Sequence, residues 1–324
     1  MDIKDLAGIG EPLKKLIEVV SLGFGKIYEP HAIKKNAEAK AIEIKTIAEA
    51  LSIGNLSLEK ISYEDGKLVM NTVNNNNENS NITERTIDRL ISQQEKRQAN
   101  IENIINNAAN ELKEAEFVSS EKIDEDWISR FFSISEDITS EEMQLIWGKI
   151  LAGEVKKPNS YSLRTLELIR NLSKKEAELI AKIADAALSN SNNTKYYVVD
   201  DREFLKNEFD INFMDIVLLE EIGIIKKGIS LTINTSTNPI KDYFANGDLC
   251  LFYDIQANVP QKSVNIFLLT TAGKEILSIL EINPNINVIK NFASKIKSNG
   301  ISVFYGKVIE KMGTQIRWER YGEL

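Results

Sequence analysis

Apolar residues recur at helical spacing through the first half of the chain and at two-residue spacing through much of the last third. The pattern predicts a helical front and a mixed end. Leu13, Leu16, Ile17, Val20, Phe24 and Ile27 define one amphipathic helix. Pro12 suits its first turn, and Gly23 and Gly25 leave room for another backbone to approach. After Pro30, the positions Ala37, Ala41, Ile44, Ala48 and Leu51 form a narrow alanine-rich seam. Over 54–81 the period is lost: Glu64-Asp65-Gly66-Lys67 reads as the turn of a small hairpin, and the asparagine-rich 71–81 as a mobile loop. A long helix is expected over 83–116. Its seam, Ile87, Ile91, Gln94, Gln98, Ile101, Ile105, Ala108, Leu112 and Ala115, alternates steps of four and three with a gap at polar positions. Such a seam fits a helical hairpin with the 37–51 segment or self-association, with Gln94 and Gln98 fixing register.

In the middle of the chain, Thr139-Ser140-Glu141-Glu142 has the form of a capping box opening a helix over 140–152. Met143, Ile146, Trp147, Ile150 and Leu151 share one face of that helix, and Gly153 is placed to end it in a left-handed cap. A second helix carries Leu163, Leu166, Ile169 and Leu172. A third starts at a further capping box, Ser173-Lys174-Lys175-Glu176, and turns Leu179, Ile180, Ile183 and Ala187 inward. Trp127, Phe131 and Phe132 supply a bulky core or lid. Glu154 and Arg164 read as an exposed ion pair of small energy.

After the linker Asn190-Ser191-Asn192-Asn193, helices are expected over 201–209 and 212–222, the latter stopping at Gly223. Strands follow over 229–233, 249–255, 264–268, 301–309 and 315–321, with helices over 271–280 and 286–297. The expected fold class is therefore mixed and mainly α with an α+β C-terminal part. It divides into a long-helix region, 1–118, a central helical domain, 119–189, and a winged-helix-like domain, 190–324.

Composition narrows the function classes. With 43% hydrophobic and 27% charged residues in 324, the chain can bury cores for two or three domains. The single cysteine, Cys250, excludes an internal disulfide framework and fits a reducing cytoplasm. No signal-peptide layout is recognisable, and the apolar stretch 13–28 is interrupted by Lys14, Lys15, Glu18 and Lys26. A membrane span is not expected, although a surface-seeking helix is conceivable there. A net charge of −8 opposes generic binding to nucleic acid.

Each candidate chemistry meets a plainer reading. A winged helix places its second helix in the DNA major groove, but here that helix carries Asp215, Glu220 and Glu221. Lys226 and Lys227, and the face with Lys290, Lys295 and Lys297, are the local basic clusters. Asp248 with Asp254-Ile255-Gln256 is faintly similar to a nuclease core, but Gln256 stands where a lysine would serve the metal chemistry. His31 and Cys250 are far apart in sequence for a nucleophile pair, and Gly8-Ile9-Gly10 lacks the strand and lysine of a phosphate loop. No catalytic, cofactor-binding or metal-binding residues are assigned.

One stretch carries a resemblance: Asp126-Trp127, Arg130-Phe131-Phe132, Glu142-x-Gln144-x-x-Trp147-Gly148-Lys149-Ile150-Leu151-Ala152-Gly153-Glu154, Pro158 and Ser162-Leu163-Arg164-Thr165-Leu166. It resembles a bacterial family catalogued only as a domain of unknown function. More distantly the same stretch, with Leu172-Ser173-x-x-Glu176-Ala177, is similar to the abortive-infection alpha family. That similarity continues into Leu218-Leu219-Glu220-Glu221-Ile222-Gly223-Ile224-Ile225 and Leu269-Thr270-Thr271-Ala272-Gly273-Lys274-Glu275. The resemblance implies a setting, resistance to bacteriophage, and brings no catalytic residues. The expectation is a non-enzymatic protein that acts by association with a protein partner or with itself. The rivals are a DNA-binding winged-helix regulator and a membrane-active effector using the N-terminal amphipathic helix.

Overall fold

A computed structural model describes residues 10–24, 60–64, 67–71, 78–113, 115–233, 238, 240–312 and 315–324. The expected 37–51 seam and His31 lie outside the described residues. The chain divides into two compact units, Met1–Ser160 and Tyr161–Leu324.

The first unit contains α1 (Glu11–Phe24), the strands β1 (Lys60–Glu64) and β2 (Lys67–Asn71), α2 (Glu78–Leu112), α3 (Glu125–Ser135) and α4 (Glu141–Lys156). The hairpin expected at Glu64 to Lys67 is present, β1 pairing antiparallel with β2. Helix α2 starts earlier than expected, inside the asparagine-rich stretch, and runs for 35 residues.

The C-terminal half of the α2 seam packs inside its own unit. Ile101, Ile104, Ile105, Ala108 and Leu112 are buried, and α4 is the principal neighbour of α2. The approach is close because Gly148 has no side chain: a Cβ there would stand 2.5 Å from the Cβ of Asn107 and 3.1 Å from the amide nitrogen of Ala108. Gly23 of α1 plays the same part against Phe132 of α3.

Register is set by amides other than Gln94 and Gln98, which are only half-buried. Buried Gln144 donates to the Asn100 side chain at 3.2 Å and to the carbonyl of Ile138 at 2.9 Å, and accepts from Asn103 at 3.2 Å. Asn100 in turn donates to the carbonyl of Glu136 at 2.7 Å. An amide network centred on buried Asn100 and Gln144 favours one helix pairing over others.

Two local expectations on α4 fail. Its N-cap is Ser140, without a side-chain cap bond, so the Thr139 capping box does not form. Gly153 does not stop the helix, which continues to Lys156. The reason is burial: Glu154 and Val155 lie inside the unit, at 2% and 0% exposure, and continuing the helix carries them there.

The second unit contains α5 (Leu163–Asn171), α6 (Lys174–Asp185), β3 (Leu188–Asn190), β4 (Tyr196–Val199), α7 (Arg202–Phe209), α8 (Phe213–Glu221), β5 (Ile225–Ile233), β6 (Ile240–Asn246), β7 (Leu249–Ile255), β8 (Lys262–Leu269), α9 (Thr271–Leu277), α10 (Ile286–Ile296), β9 (Ile301–Met312) and β10 (Gln315–Glu323). The eight strands form one sheet in the order β10-β9-β7-β6-β3-β4-β8-β5, with antiparallel pairing between every neighbouring pair. The fold is thus mixed helix and sheet, not mainly α. The sequence reading underestimated the sheet because it passed over β3, β4 and β6.

Alternation along the strands gives the sheet two apolar faces. On one, Phe244, Leu251, Tyr253, Ile266 and Val303 pack with Val288, Ile289, Phe292 and Ile296 of α10. On the other, Tyr243, Cys250 and Phe252 cluster with half-buried Phe304 and Trp318. Trp318 stacks on Phe252 with ring centroids 3.5 Å apart. Gly306 makes this possible, since a Cβ on it would collide with Trp318 and with the carbonyl of Glu319. The stretch 190–195 is the turn of the β3–β4 hairpin, where the Asn190 side chain accepts the amides of Thr194 and Lys195, both at 2.9 Å. Helix α6 begins at the expected capping box, with both Ser173 and Glu176 bonds present.

Candidate functional site

Three stretches singled out in the sequence meet in the second unit. Ser162 is the N-cap of α5, its side chain accepting the amide of Thr165. The amide and hydroxyl of Ser162 donate to the Glu275 carboxylate of α9 at 2.8 and 3.0 Å, and the Thr165 hydroxyl donates to the same oxygen. Glu275 is 8% exposed and Thr165 fully buried. One turn earlier, the Thr270 hydroxyl donates to the carbonyl of Gly223, and the Thr270 amide donates to the carbonyl of Ile224 at 3.0 Å. Gly273 packs so close to Ile224 that a Cβ would stand 2.3 Å from its carbonyl oxygen. The glycine is needed there because the backbone itself fills the space.

This framework holds open a cleft of about 750 Å³, within the 300–1,000 Å³ range of small-ligand sites. Leu168 and Leu172 of the α5 region, Ile222 of the α8–β5 turn and Ala272 of α9 give it an apolar floor, and Arg164 and Lys226 stand at its edge. Of the acids lining it, Glu176 is engaged by the Ser173 amide at 2.7 Å and Glu220 by the Lys227 ammonium at 2.5 Å. Hydrogen bonding by the Ser173 side chain, with its amide, lowers the Glu176 carboxyl from its ordinary value, and the Lys227 ammonium does the same for Glu220.

The α7–α8 pair presents a different surface. Residues 200–221 hold eight carboxylates and two cations. At the start of α8, Phe213 and Met214 are 53% and 67% exposed, with the Arg202 guanidinium 5.1 Å from the Phe213 ring centroid. Asn212 and Asp215 form a capping box, so the helix start is rigid where these side chains project. Asp201 caps α7 and accepts from Lys295 at 2.8 Å and Asn291 at 3.0 Å. The Lys295 hydrogen bond, chiefly, holds its carboxyl down at about 2, against the ordinary 3.8. A depressed acid stabilises the fold fully above its unfolded value and stops doing so as pH falls through its folded one. Wild type should therefore lose its advantage over Asp201→Asn as pH is lowered from 4 to 2, read as converging melting temperatures. A gap independent of pH across that window would refute the assignment.

The remaining candidates fall as follows. Trp127, Phe131 and Phe132 of α3 and Trp147 of α4 are core: Phe131 lies 5.0 Å from Trp127 and 5.2 Å from Trp147, ring to ring. Glu154 is not exposed. Its carboxylate accepts the amides of Asn159 at 2.6 Å and Ser160 at 3.0 Å, fastening the turn after α4. On α2, Ile87, Ile101 and Ile105 are buried, and Ile91 is half-buried. Lys227 and Lys295 are spent on Glu220 and Asp201, and Lys297 donates to the carbonyl of Leu324, while Lys226 and Lys290 are exposed. Asp248 and Asp254 pair with Lys307 at 2.7 Å and Lys241 at 3.3 Å rather than with each other. Cys250 is buried in β7. Among the described residues, no group of three or more His, Cys, Asp or Glu could hold a metal ion, and no helix is long and apolar enough to cross a membrane.

Sequence reasoning gives Glu275 no structural role, although the structure makes it the acceptor that joins α5 to α9. Its signal was a carboxylate between Ala272 and Ile276 on the inward face of a short helix, where charge is tolerated only with partners. Asn246, at 0% exposure, was missed likewise. Its side chain donates to the carbonyls of Asp185 and Ala187 and accepts the amide of Asn285, tying β6 to the ends of α6 and α10.

No curated protein and no solved structure matches the chain. One family model does, over residues 84–293, from within α2 to within α10. With more than half of its length matched, the chain belongs to the family described as "Protein of unknown function (DUF2806)".

Proposed function

We propose that the chain works by binding a protein partner through the start of α8, in the cytoplasm, as part of a response to bacteriophage. The observation that carries the docking element is the pair Phe213 and Met214, exposed at the head of a helix that carries carboxylates and no cation. The order β4, α7, α8, β5, β8, with β8 bonded between β4 and β5, supports a winged-helix-like reading in which the β6–β7 hairpin is inserted before the last strand. In DNA-binding members of that architecture the second helix enters the major groove and meets phosphates. Here its surroundings repel phosphate, and two apolar side chains stand where base contacts would be made. A partner segment with apolar residues flanked by lysine or arginine matches this surface in both respects. The phage setting rests on the resemblance of the central stretch to abortive-infection proteins.

The test is phage plating across a broad panel. Wild type is expected to lower plating efficiency for some phages, and Phe213→Ser/Met214→Ser, at unchanged melting temperature, is expected to lose that protection. A protective double variant would remove α8 as the docking element, and a wild type that protects against none of the panel would remove the phage setting.

A further inference from the structure

We infer that the cleft beside α5 is a binding site for a small organic anion, a molecule with an apolar body and a carboxylate or phosphate group. The inference is independent of what docks on Phe213 and Met214. Charge is the first argument. Glu176 and Glu220 face the cleft, but one is engaged by the Ser173 amide and the other by the Lys227 ammonium. Glu167 has Arg170 at 3.9 Å. The Ser173 amide is neutral and leaves Glu176 its negative charge, but the side chains of Arg164 and Lys226 have no ion-pair or hydrogen-bond partner among the described residues, so two cations at the edge outweigh the one carboxylate that lacks a cationic partner. Arg164 offers a planar fork that suits carboxylate or phosphate oxygens, and Lys226 a point charge from the neighbouring strand.

Rigidity is the second argument. The turn of α5 that carries Arg164 is clamped from both sides of that residue, by Ser162 and Thr165 on Glu275. Lys226 follows the Gly223–Ile224 turn that Thr270 fastens. Both cations thus start from backbone that is already ordered, which lowers the entropic cost of binding. The third argument is shape: the floor of Leu168, Leu172, Ile222 and Ala272 gives an apolar body something to cover, in a volume suited to a small molecule.

The test uses the full chain at low salt with three probes of one shape, phenyl phosphate, phenylacetate and uncharged phenylacetamide, followed by titration calorimetry. At least one of the two anions is expected to bind, and which of them binds more tightly tells phosphate from carboxylate. Arg164→Gln or Lys226→Gln should weaken it by about tenfold, the loss of one charge-assisted hydrogen bond. Both positions are exposed, so melting temperatures without probe should be unchanged; if one variant is destabilised, the other carries the test. The proposal is overturned if neither anion binds, if phenylacetamide binds as tightly, or if affinity survives both substitutions.

Discussion

Replacing Trp147 with alanine is expected to lower the unfolding free energy by about 3–5 kcal/mol, the range for removing a fully enclosed aromatic side chain. The indole is 0% exposed and stands against Phe131, which lies in turn against Trp127. Neighbouring Gly148 brings the α2 backbone into direct contact, so the helices around the deleted ring are poorly able to move inward. The Trp147 Nε1 is buried without an acceptor among the described residues. Trp147→Phe forfeits packing but also removes that unsatisfied donor, and should cost less than half as much. Urea unfolding followed by circular dichroism measures both. An alanine variant within 1 kcal/mol of wild type would show that the ring is not a packing anchor.

The second large effect is expected at Glu275. Alanine there removes the acceptor for the Ser162 amide and for the Ser162 and Thr165 hydroxyls, in a site nearly closed to water. Each buried donor left without a partner costs about 1–3 kcal/mol, and the hydroxyls recover part of that by rotating, so a loss of about 2–4 kcal/mol is expected. Thr165→Val should cost less alone and add little to Glu275→Ala, because the valine removes one of the orphaned donors. Strict additivity of the two would mean that the short contact between these side chains carries no energy.

Much of the local structure was readable because local rules decided it. The Ser173 capping box, the stop of α8 before Gly223 at φ +80, and the boundaries of β7 and α10 all follow from residues within a few positions of one another. The failures share a cause. Gly153 has the chemistry of a helix stop, yet burial of Glu154 and Val155 overrides it. Gln94 and Gln98 were plausible register residues, but register is kept by Asn100, Asn103 and Gln144, which meet across two helices. Strand β6 was passed over because its inward and outward residues, Phe244 and Tyr243, are both apolar; the sheet buries each against a different cluster. The cleft was invisible for a related reason, since Arg164, Ile222 and Ala272 are distant in sequence and are joined only through Glu275 and Thr270.

The placement of the three tryptophans gives the chain its own optical reporters. Trp127 and Trp147 are shut inside the first unit, against Phe131, whereas Trp318 is half-buried on Phe252 in the second. Emission from the first pair should be blue-shifted and hard to quench with iodide, while Trp318 should emit further to the red. With Trp127 and Trp147 changed to phenylalanine, the remaining signal would follow the eight-stranded sheet alone, and with Trp318 changed instead it would follow the first unit, so the unfolding of each unit can be timed without attaching a dye.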